Sequence, residues 1–216
     1  MKKVLFLSIF YLFIFWIFLI SNESIKLTDF FGRTKASTTS PQSNYASFST
    51  NVQPYILFDF LSGDDVTFGN LTPGIPIKAP SGGTITSVTT DAANGYTIGI
   101  ADEVAGTNSS MVNDDSYIAD YTGSFSSPTL WTGTGLGITL FSATQKDTKW
   151  GTGITFDDIH NKYAGIPENT TTAHTVTGFQ ALTNLSSWAW QIDVPNGQKT
   201  GEYIGSVIFT ATAILS

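Results

Sequence analysis

The carboxylates of one short acidic stretch are the strongest candidates for binding a metal ion. Asp114 and Asp115 follow Asn113, and Asp120 comes shortly afterwards. Calcium takes several carboxylate and carbonyl oxygens from a flexible loop, although the residue order of an EF-hand loop and its closing Glu are missing here. We therefore consider a structural calcium site at Asp114, Asp115 and Asp120. The alternative is that these side chains bond to their own backbone at turns.

The two histidines support a metal site less well than the acidic stretch does. Asp157 and Asp158 precede His160, while His174 lies further along the chain. Transition-metal sites usually need three or four ligands, often Cys or His, and the chain contains no Cys. We interpret both histidines as solvated loop residues, and we expect no cofactor beyond the candidate calcium ion.

Nucleophilic catalysis has no supporting motif in this sequence. A Ser or Thr nucleophile needs an adjacent base, and the chain has two His and no nucleophile elbow of the G-x-S-x-G form. Paired carboxylates could support glycoside hydrolysis, but any acidic chain contains such pairs. We therefore expect that the protein is not an enzyme.

Aromatic residues in polar loops are the strongest candidates for ligand contacts. Trp131 and Trp150 are each flanked by Gly and Thr, and Tyr121 and Tyr163 lie in the same polar stretches. An exposed ring can present a flat apolar face to a sugar, with hydroxyls and amides available for the sugar's rim. The alternative is that these rings anchor long loops on the core.

Two long polar stretches, 102–134 and 143–172, carry those four aromatic residues. Loops of this length are commonly insertions that make contacts with ligands. We therefore place the contact surface on these loops, with Asp157 and Asp158 as polar contributors.

The scaffold that must position these residues shows a period of two. Alternating apolar residues place one face of a strand on a core and the other in water. The runs are Ile56, Phe58, Phe60; Tyr96, Ile98, Ile100; Leu136, Ile138, Leu140; Trp188, Trp190, Ile192, Val194; and Tyr203, Val207, Phe209, with a further short strand expected at Val66 and Phe68. Short strands separated by Gly, Asn and Pro turns predict an all-β fold, namely an antiparallel β-sandwich of the immunoglobulin-like or jelly-roll-like kind.

The end of the chain carries the most specific structural prediction. Residues 187–194 and 202–214 flank the turn formers Pro195-Asn196-Gly197, and this arrangement predicts a closing hairpin. Trp190 and Phe209 should then both belong to the core.

The first residues have the pattern of an export segment. Lys2 and Lys3 precede an uncharged apolar run, 4–20, which is expected to be a hydrophobic helix. It is either a signal peptide cleaved within 1–24 or a retained anchor, and in the second case it is the part that contacts the membrane. A Ser/Thr-rich linker over 25–44 then leads to the sandwich domain over 45–216.

Three pieces of the sequence resemble the WxL-type cell-surface domains of Gram-positive bacteria. They are Val66-Thr67-Phe68-Gly69, Asn94-Gly95-Tyr96-Thr97-Ile98, and Ile192-Asp193-Val194-Pro195 with residues 201–211, which are similar to that family's closing hairpin. The diagnostic Trp-x-Leu signatures are not kept at Tyr96-Thr97-Ile98 or at Phe209-Thr210-Ala211. The resemblance implies an exported, non-catalytic β domain associated with the bacterial cell wall.

Charge narrows the remaining classes of function. The net charge is −7, from 10 basic and 17 acidic residues, so binding to nucleic-acid phosphates is not expected. The main hypothesis is a secreted, non-catalytic cell-surface protein that binds or coats the cell envelope through a cell-wall polymer, a glycan or other surface proteins. The alternatives are a structural subunit of a surface fibre or pilus, with residues 43–60 as an exchangeable strand, and a carbohydrate-binding adhesin.

Overall fold

Alternating apolar side chains produce an all-β, antiparallel fold in the computed structural model, which describes residues 47, 49–79, 83–103 and 111–215. Helical geometry within these residues is confined to one 3₁₀ turn, Thr148–Trp150. The predicted all-β antiparallel class is therefore confirmed. The strands are β1 (Ile56–Ser62), β2 (Ile77–Lys78), β3 (Thr84–Thr90), β4 (Gly95–Asp102), β5 (Met111–Asn113), β6 (Ser116–Ile118), β7 (Thr129–Leu130), β8 (Gly135–Ala143), β9 (Lys162–Tyr163), β10 (Thr171–Thr177), β11 (Asn184–Asp193) and β12 (Val207–Ala213).

The larger sheet is built around β11, the longest strand. Along one edge β11 pairs first with β3, through Asn184 to Trp188, and then with β2, through Gln191 and Ile192. Its other edge pairs with β8, and β1 adds to the far side of β3. All of these pairings are antiparallel, and together they make a five-stranded sheet.

The smaller sheet has β4 in its centre, with β10 on one side and β12 on the other, again antiparallel. Two small pairs, β5 with β6 and β7 with β9, lie outside these two sheets. Within the described residues, β1 ends the larger sheet and β12 ends the smaller one, so each has a single partner strand.

The two sheets share one apolar core. Tyr96, Ile98 and Ile100 of β4 and Trp188 and Ile192 of β11 have no exposed surface. The ring of Phe209 on β12 lies edge-on to Trp188 at 5.6 Å and to Trp190 at 6.3 Å between centroids, and it reaches Phe60 of β1 at 5.5 Å. Aromatic rings in this arrangement bury large areas and attract one another edge to face, so they join the two sheets.

Two tryptophans of β11 are also fixed by hydroxyl groups inside the core. The indole Nε1 of Trp188 donates to Thr86 Oγ1 at 3.1 Å, and that of Trp190 donates to Thr84 Oγ1 at 2.9 Å. Buried indole N–H groups need an acceptor. This need explains why the inward face of β3 carries threonines.

The predicted closing hairpin is wrong. β11 and β12 lie in different sheets, because both edges of β11 are already occupied by β8, β3 and β2. The connection after β11 crosses between the sheets and packs on β5 and β6 instead of turning back. Gln198 Nε2 donates to the carbonyl of Tyr117 at 2.9 Å, and the Ile204 amide donates to the carbonyl of Val112 at 3.0 Å. The prediction that Trp190 belongs to the core is confirmed, and Phe209 is partly buried against that core.

The structure describes the predicted β domain but little of the segment before it. Asn51–Ser216 forms one compact unit, while the predicted export segment, its hydrophobic helix and most of the linker lie outside the described residues. Among the described residues no helix has the length and apolar character needed to cross a membrane. The strand expected at Val66 and Phe68 is wrong, because this stretch finds no partner strand and packs as a loop against the core.

Candidate functional site

Trp150, predicted as an exposed ligand contact, is a core residue. Its side chain has no exposed surface, and its Nε1 donates to the carbonyl of Ala173 at 3.1 Å. Its ring also packs edge-on against Phe125 and Trp188, at 5.6 and 6.3 Å between centroids. The 3₁₀ turn, capped by the Asp147 carboxylate on the Lys149 amide at 2.9 Å, directs the ring inward. The expectation of a surface contact at Trp150 is therefore wrong.

The other three predicted aromatic residues do come together, as a packed cluster. Trp131 stacks on Tyr121 with ring centroids 4.3 Å apart and planes 11° apart, and it meets Tyr163 edge-on at 5.4 Å. Tyr121 and Tyr163 are only 3% and 2% exposed, so the prediction that they contact a ligand is wrong. Trp131 keeps part of its surface and is half-buried.

The hydroxyl of Tyr121 fixes the backbone next to Trp131. It donates to the carbonyl of Leu130 at 2.7 Å, and it accepts from the Thr132 amide at 3.3 Å. These bonds hold the backbone on either side of Trp131 in place. Burial raises the pKa of the neighbouring Tyr163 to about 12, so this phenol stays protonated at neutral pH and cannot act as a base.

The predicted calcium ligands are not gathered into a site. Asp114 occupies the turn between β5 and β6 with φ 49°, and Asp115 Oδ1 accepts from Lys199 Nζ at 2.8 Å. Asp120 lies in a separate bridge, in which its backbone is paired with Leu136. Within the described residues no three His, Cys, Asp or Glu side chains form a group that could hold a metal ion. The expected three-carboxylate arrangement is therefore absent from this part of the chain.

The acidic pair near His160 organises its own loop. Asp158 Oδ1 accepts from the His160 backbone amide and contacts its ring Nδ1, both at 2.9 Å, and Asp158 Oδ2 accepts from the Ile154 amide at 3.3 Å. The bond from the His160 backbone, then that from its ring, lowers the pKa of Asp158. Lys78 Nζ donates to the Asp157 carbonyl at 2.8 Å and joins the loop to β2. The bond from the Asp158 carboxylate to the amide two residues further on is an Asx-type turn, so the carboxylate expected as a polar contributor to a contact surface holds its own loop.

His174 does not lie in a solvated loop, as was expected. It belongs to β10, opposite Ile98 of β4, and only 1% of it is exposed. Burial lowers its pKa to about 4. The neutral ring is therefore part of the core rather than a surface ligand.

One feature that the sequence did not reveal is an open groove between two of the edge strands, one from each sheet. We call it the edge groove, and it is a pocket of about 230 Å³ between β1 and β12, lined by Phe60, Val66, Phe68, Trp190, Val207 and Phe209 among others. The inward-facing side chains of both strands are only half-buried there. Asp64 and Asp65 are the charged residues in its lining, and both are exposed. The period of two identified these strands, but their free edges depend on which strands pair.

Comparisons with known proteins assign no family. No protein-family model matches the chain, and no curated protein matches it. The solved structure of a family 123 glycoside hydrolase from Clostridium perfringens is similar over 74% of this chain and 25% of that one, at 13% identity and a TM-score of 0.32. This chain therefore spans about a quarter of that enzyme's length. A TM-score this low carries no argument about fold or activity.

Proposed function

We propose that this chain is a non-catalytic, exported protein of the cell surface that binds a partner of the cell envelope through the edge groove. The observation that carries the proposal is the groove itself. Half-buried aromatic side chains of two sheets meet there beside two strand edges that have no second partner among the described residues. Apolar surface next to unpaired strand edges is a common docking site for other protein segments.

The sequence supports the exported location. A basic start, an apolar run and a Ser/Thr-rich stretch precede the compact β unit, which is the order expected of a domain held outside the membrane. The resemblance to WxL-type domains points the same way. The two sheets and their shared core also favour a β-sandwich of the immunoglobulin-like or jelly-roll-like kind, as many surface domains have.

The groove favours a protein segment over a soluble small molecule as the ligand. Pockets for drug-sized ligands occupy roughly 300–1,000 Å³, whereas this one holds about 230 Å³. A side chain from a neighbouring strand fits such a volume. For this reason the second candidate function, a structural subunit of a surface fibre, also has support from the structure.

The proposal can be tested by locating the protein and then changing the groove. Cells that express the tagged chain should retain it in the envelope fraction, where added protease can reach it. Asp64→Lys with Asp65→Lys reverses the charge at the groove mouth and should reduce envelope retention. Asp59→Lys is the matched control, because Asp59 lies on the outward face of β1 and is exposed. A cytoplasmic location, or equal retention of all variants, would contradict the proposal.

A further inference from the structure

We propose that the side chain of Gln145 caps the outer edge of β10 and thereby prevents β10 of a second copy of this chain from pairing with it. β10 lies at the opposite edge of the smaller sheet from β12 and the edge groove. The proposal therefore goes beyond the function proposed above, because it concerns a different edge of the protein.

β10 is an edge strand that another strand could join. It pairs with β4 from Thr171 to Thr177, and in the described part of the chain no strand lies on its other side. Charged side chains, proline and bulges are the usual devices that keep edge strands from pairing, and β10 contains no Lys, Arg, Asp, Glu or Pro. A bulge between Thr172 and His174 disturbs only the beginning of the strand, so its end needs another form of cover.

The backbone of Thr177 faces the open edge. In an antiparallel pair, residues alternate between bonding to the neighbouring strand and facing away from it. The carbonyl of Val176 points towards β4, since a Cβ at Gly95 would overlap it. The amide and carbonyl groups of Thr175 and Thr177 therefore point away from β4.

The side chain of Gln145 occupies the place of a partner residue at this edge. The Thr177 amide donates to Gln145 Oε1 at 3.0 Å, and Gln145 Nε2 donates to the Thr177 carbonyl at 3.0 Å. Thr177 Oγ1 also donates to Oε1, at 3.0 Å. A residue of a neighbouring antiparallel strand would exchange the same two backbone bonds with Thr177, so the primary amide of Gln145 takes the place of that strand.

The backbone of Gln145 indicates that this side chain has a role. Gln145 is the third residue of a turn closed by the Lys146 amide, which donates to the carbonyl of Ala143 at 3.3 Å, and its φ is 55°. Gly or Asn is the usual residue at a turn position with positive φ. Among the described non-glycine residues only Asp114 shares a positive φ, and Asp tolerates this region better than Gln does. The side chain of Gln145 is therefore held at β10 despite an unfavourable backbone conformation.

The cap has a consequence for assembly. Two uncovered β10 strands would pair antiparallel about a two-fold axis, and neither would bring a charge that repels the other. With β10 capped, strand addition to the smaller sheet is left to β12, the edge beside the edge groove.

Removal of the side chain alone tests the proposal. Gln145→Gly keeps a residue that favours positive φ, and amide hydrogen exchange at Thr177 should become faster than in the wild type. The molar mass of the full-length chain, measured by light scattering over a series of concentrations, should shift from the wild-type value towards twice that value. Gln180→Gly is the matched control, because Gln180 Nε2 donates to the same Thr177 carbonyl at 3.1 Å while the Thr177 amide stays bonded to Gln145. This control should keep the wild-type mass.

A second substitution shows whether association runs through β10. Thr175 is exposed on this strand, and a lysine on an edge strand opposes pairing, so Gln145→Gly combined with Thr175→Lys should restore the wild-type mass. Faster exchange at Thr177 without any gain in mass would overturn the proposal, and so would equal association of Gln180→Gly. Association that persists in the double variant would also overturn it, because the contact would then lie elsewhere. Envelope retention of the Asp64 and Asp65 variants tests the edge groove separately, so neither result decides the other.

Discussion

The buried histidine of β10 should make the stability of this protein depend on pH. His174 is 1% exposed, and within the described residues neither ring nitrogen makes a hydrogen bond of good geometry. Burial is the main cause of its lowered pKa, and the nearby positive charge of Lys149 adds to it. The backbone of Thr144 and the carboxylate of Asp147 act in the opposite direction but do not outweigh burial.

The size and sign of the effect follow from the difference between the folded and unfolded states. The pKa falls from 6.5 in the unfolded chain to about 4 in the folded one, which corresponds to about 3 kcal/mol of unfolding free energy. Above pH 6.5 the ring is neutral in both states, and stability is complete. As the pH falls from 6.5 towards 4, the unfolded chain takes up the proton first, so stability declines and then levels off below about pH 4.

The measurement is urea unfolding of the full-length chain, followed by tryptophan fluorescence at several pH values between 7.5 and 3.5. His174→Phe removes the titrating group while keeping a flat ring in the core. The stability of this variant relative to the wild type should rise by about 3 kcal/mol over that range. Val176→Ala is the control, because it removes buried volume from the same strand, β10, without removing a titrating group, and it should keep the wild-type pH dependence. Parallel curves for His174→Phe and the wild type would refute the reasoning.

Other substitutions test the core, the turns and the acidic residues. Trp190→Ala should destabilise the fold by about 3–5 kcal/mol, measured by thermal unfolding, and an unchanged midpoint would show that this ring does not join the sheets. Gly83→Ala should cost about 3 kcal/mol or more, because Gly83 has φ 82° and a Cβ there would overlap the Trp188 carbonyl. Gly178→Ala shares the positive φ but has open space around it, so it should cost only about 1–2 kcal/mol, and equal losses would exclude the overlap as the cause. A chelator should leave the thermal midpoint unchanged, since Asp114, Asp115 and Asp120 do not converge, whereas a drop reversed by calcium would show that they bind an ion. Asp115→Asn should change stability by less than about 1 kcal/mol, because its pair with Lys199 is exposed.

The sequence predicted strand positions better than strand partners. The runs at Ile56, Tyr96, Leu136, Trp188 and Val207 all form strands, because a period of two depends only on one face being buried. The predicted pairing of 187–194 with 202–214 was wrong because neighbours along the chain need not be neighbours in a sheet. The two edges of β11 are hydrogen-bonded to β8 and β3 instead.

The candidate site was predicted less well than the strand positions. The flanking Gly and Thr residues of Trp150 suggested an exposed loop, but a capped 3₁₀ turn directs its ring into the core. Tyr121, Trp131 and Tyr163 were expected on a contact surface, but they pack against each other and both tyrosines are buried. The edge groove could not be predicted, because a free edge exists only once every other strand has found its partner.

The hydrogen bonds from two indoles to two threonines also restrict how β3 can align with β11. A shift by one residue would turn the core-facing side chains of β3 outward, but a shift by two keeps every side chain on its proper face. Apolar packing alone therefore distinguishes the two-residue shift poorly. In one direction that shift places Val88 beside the Trp188 indole, and in the other it takes Thr84 away from Trp190. Either misalignment leaves one buried N–H group without an acceptor, at a cost of about 1–3 kcal/mol, so these threonines select the native alignment.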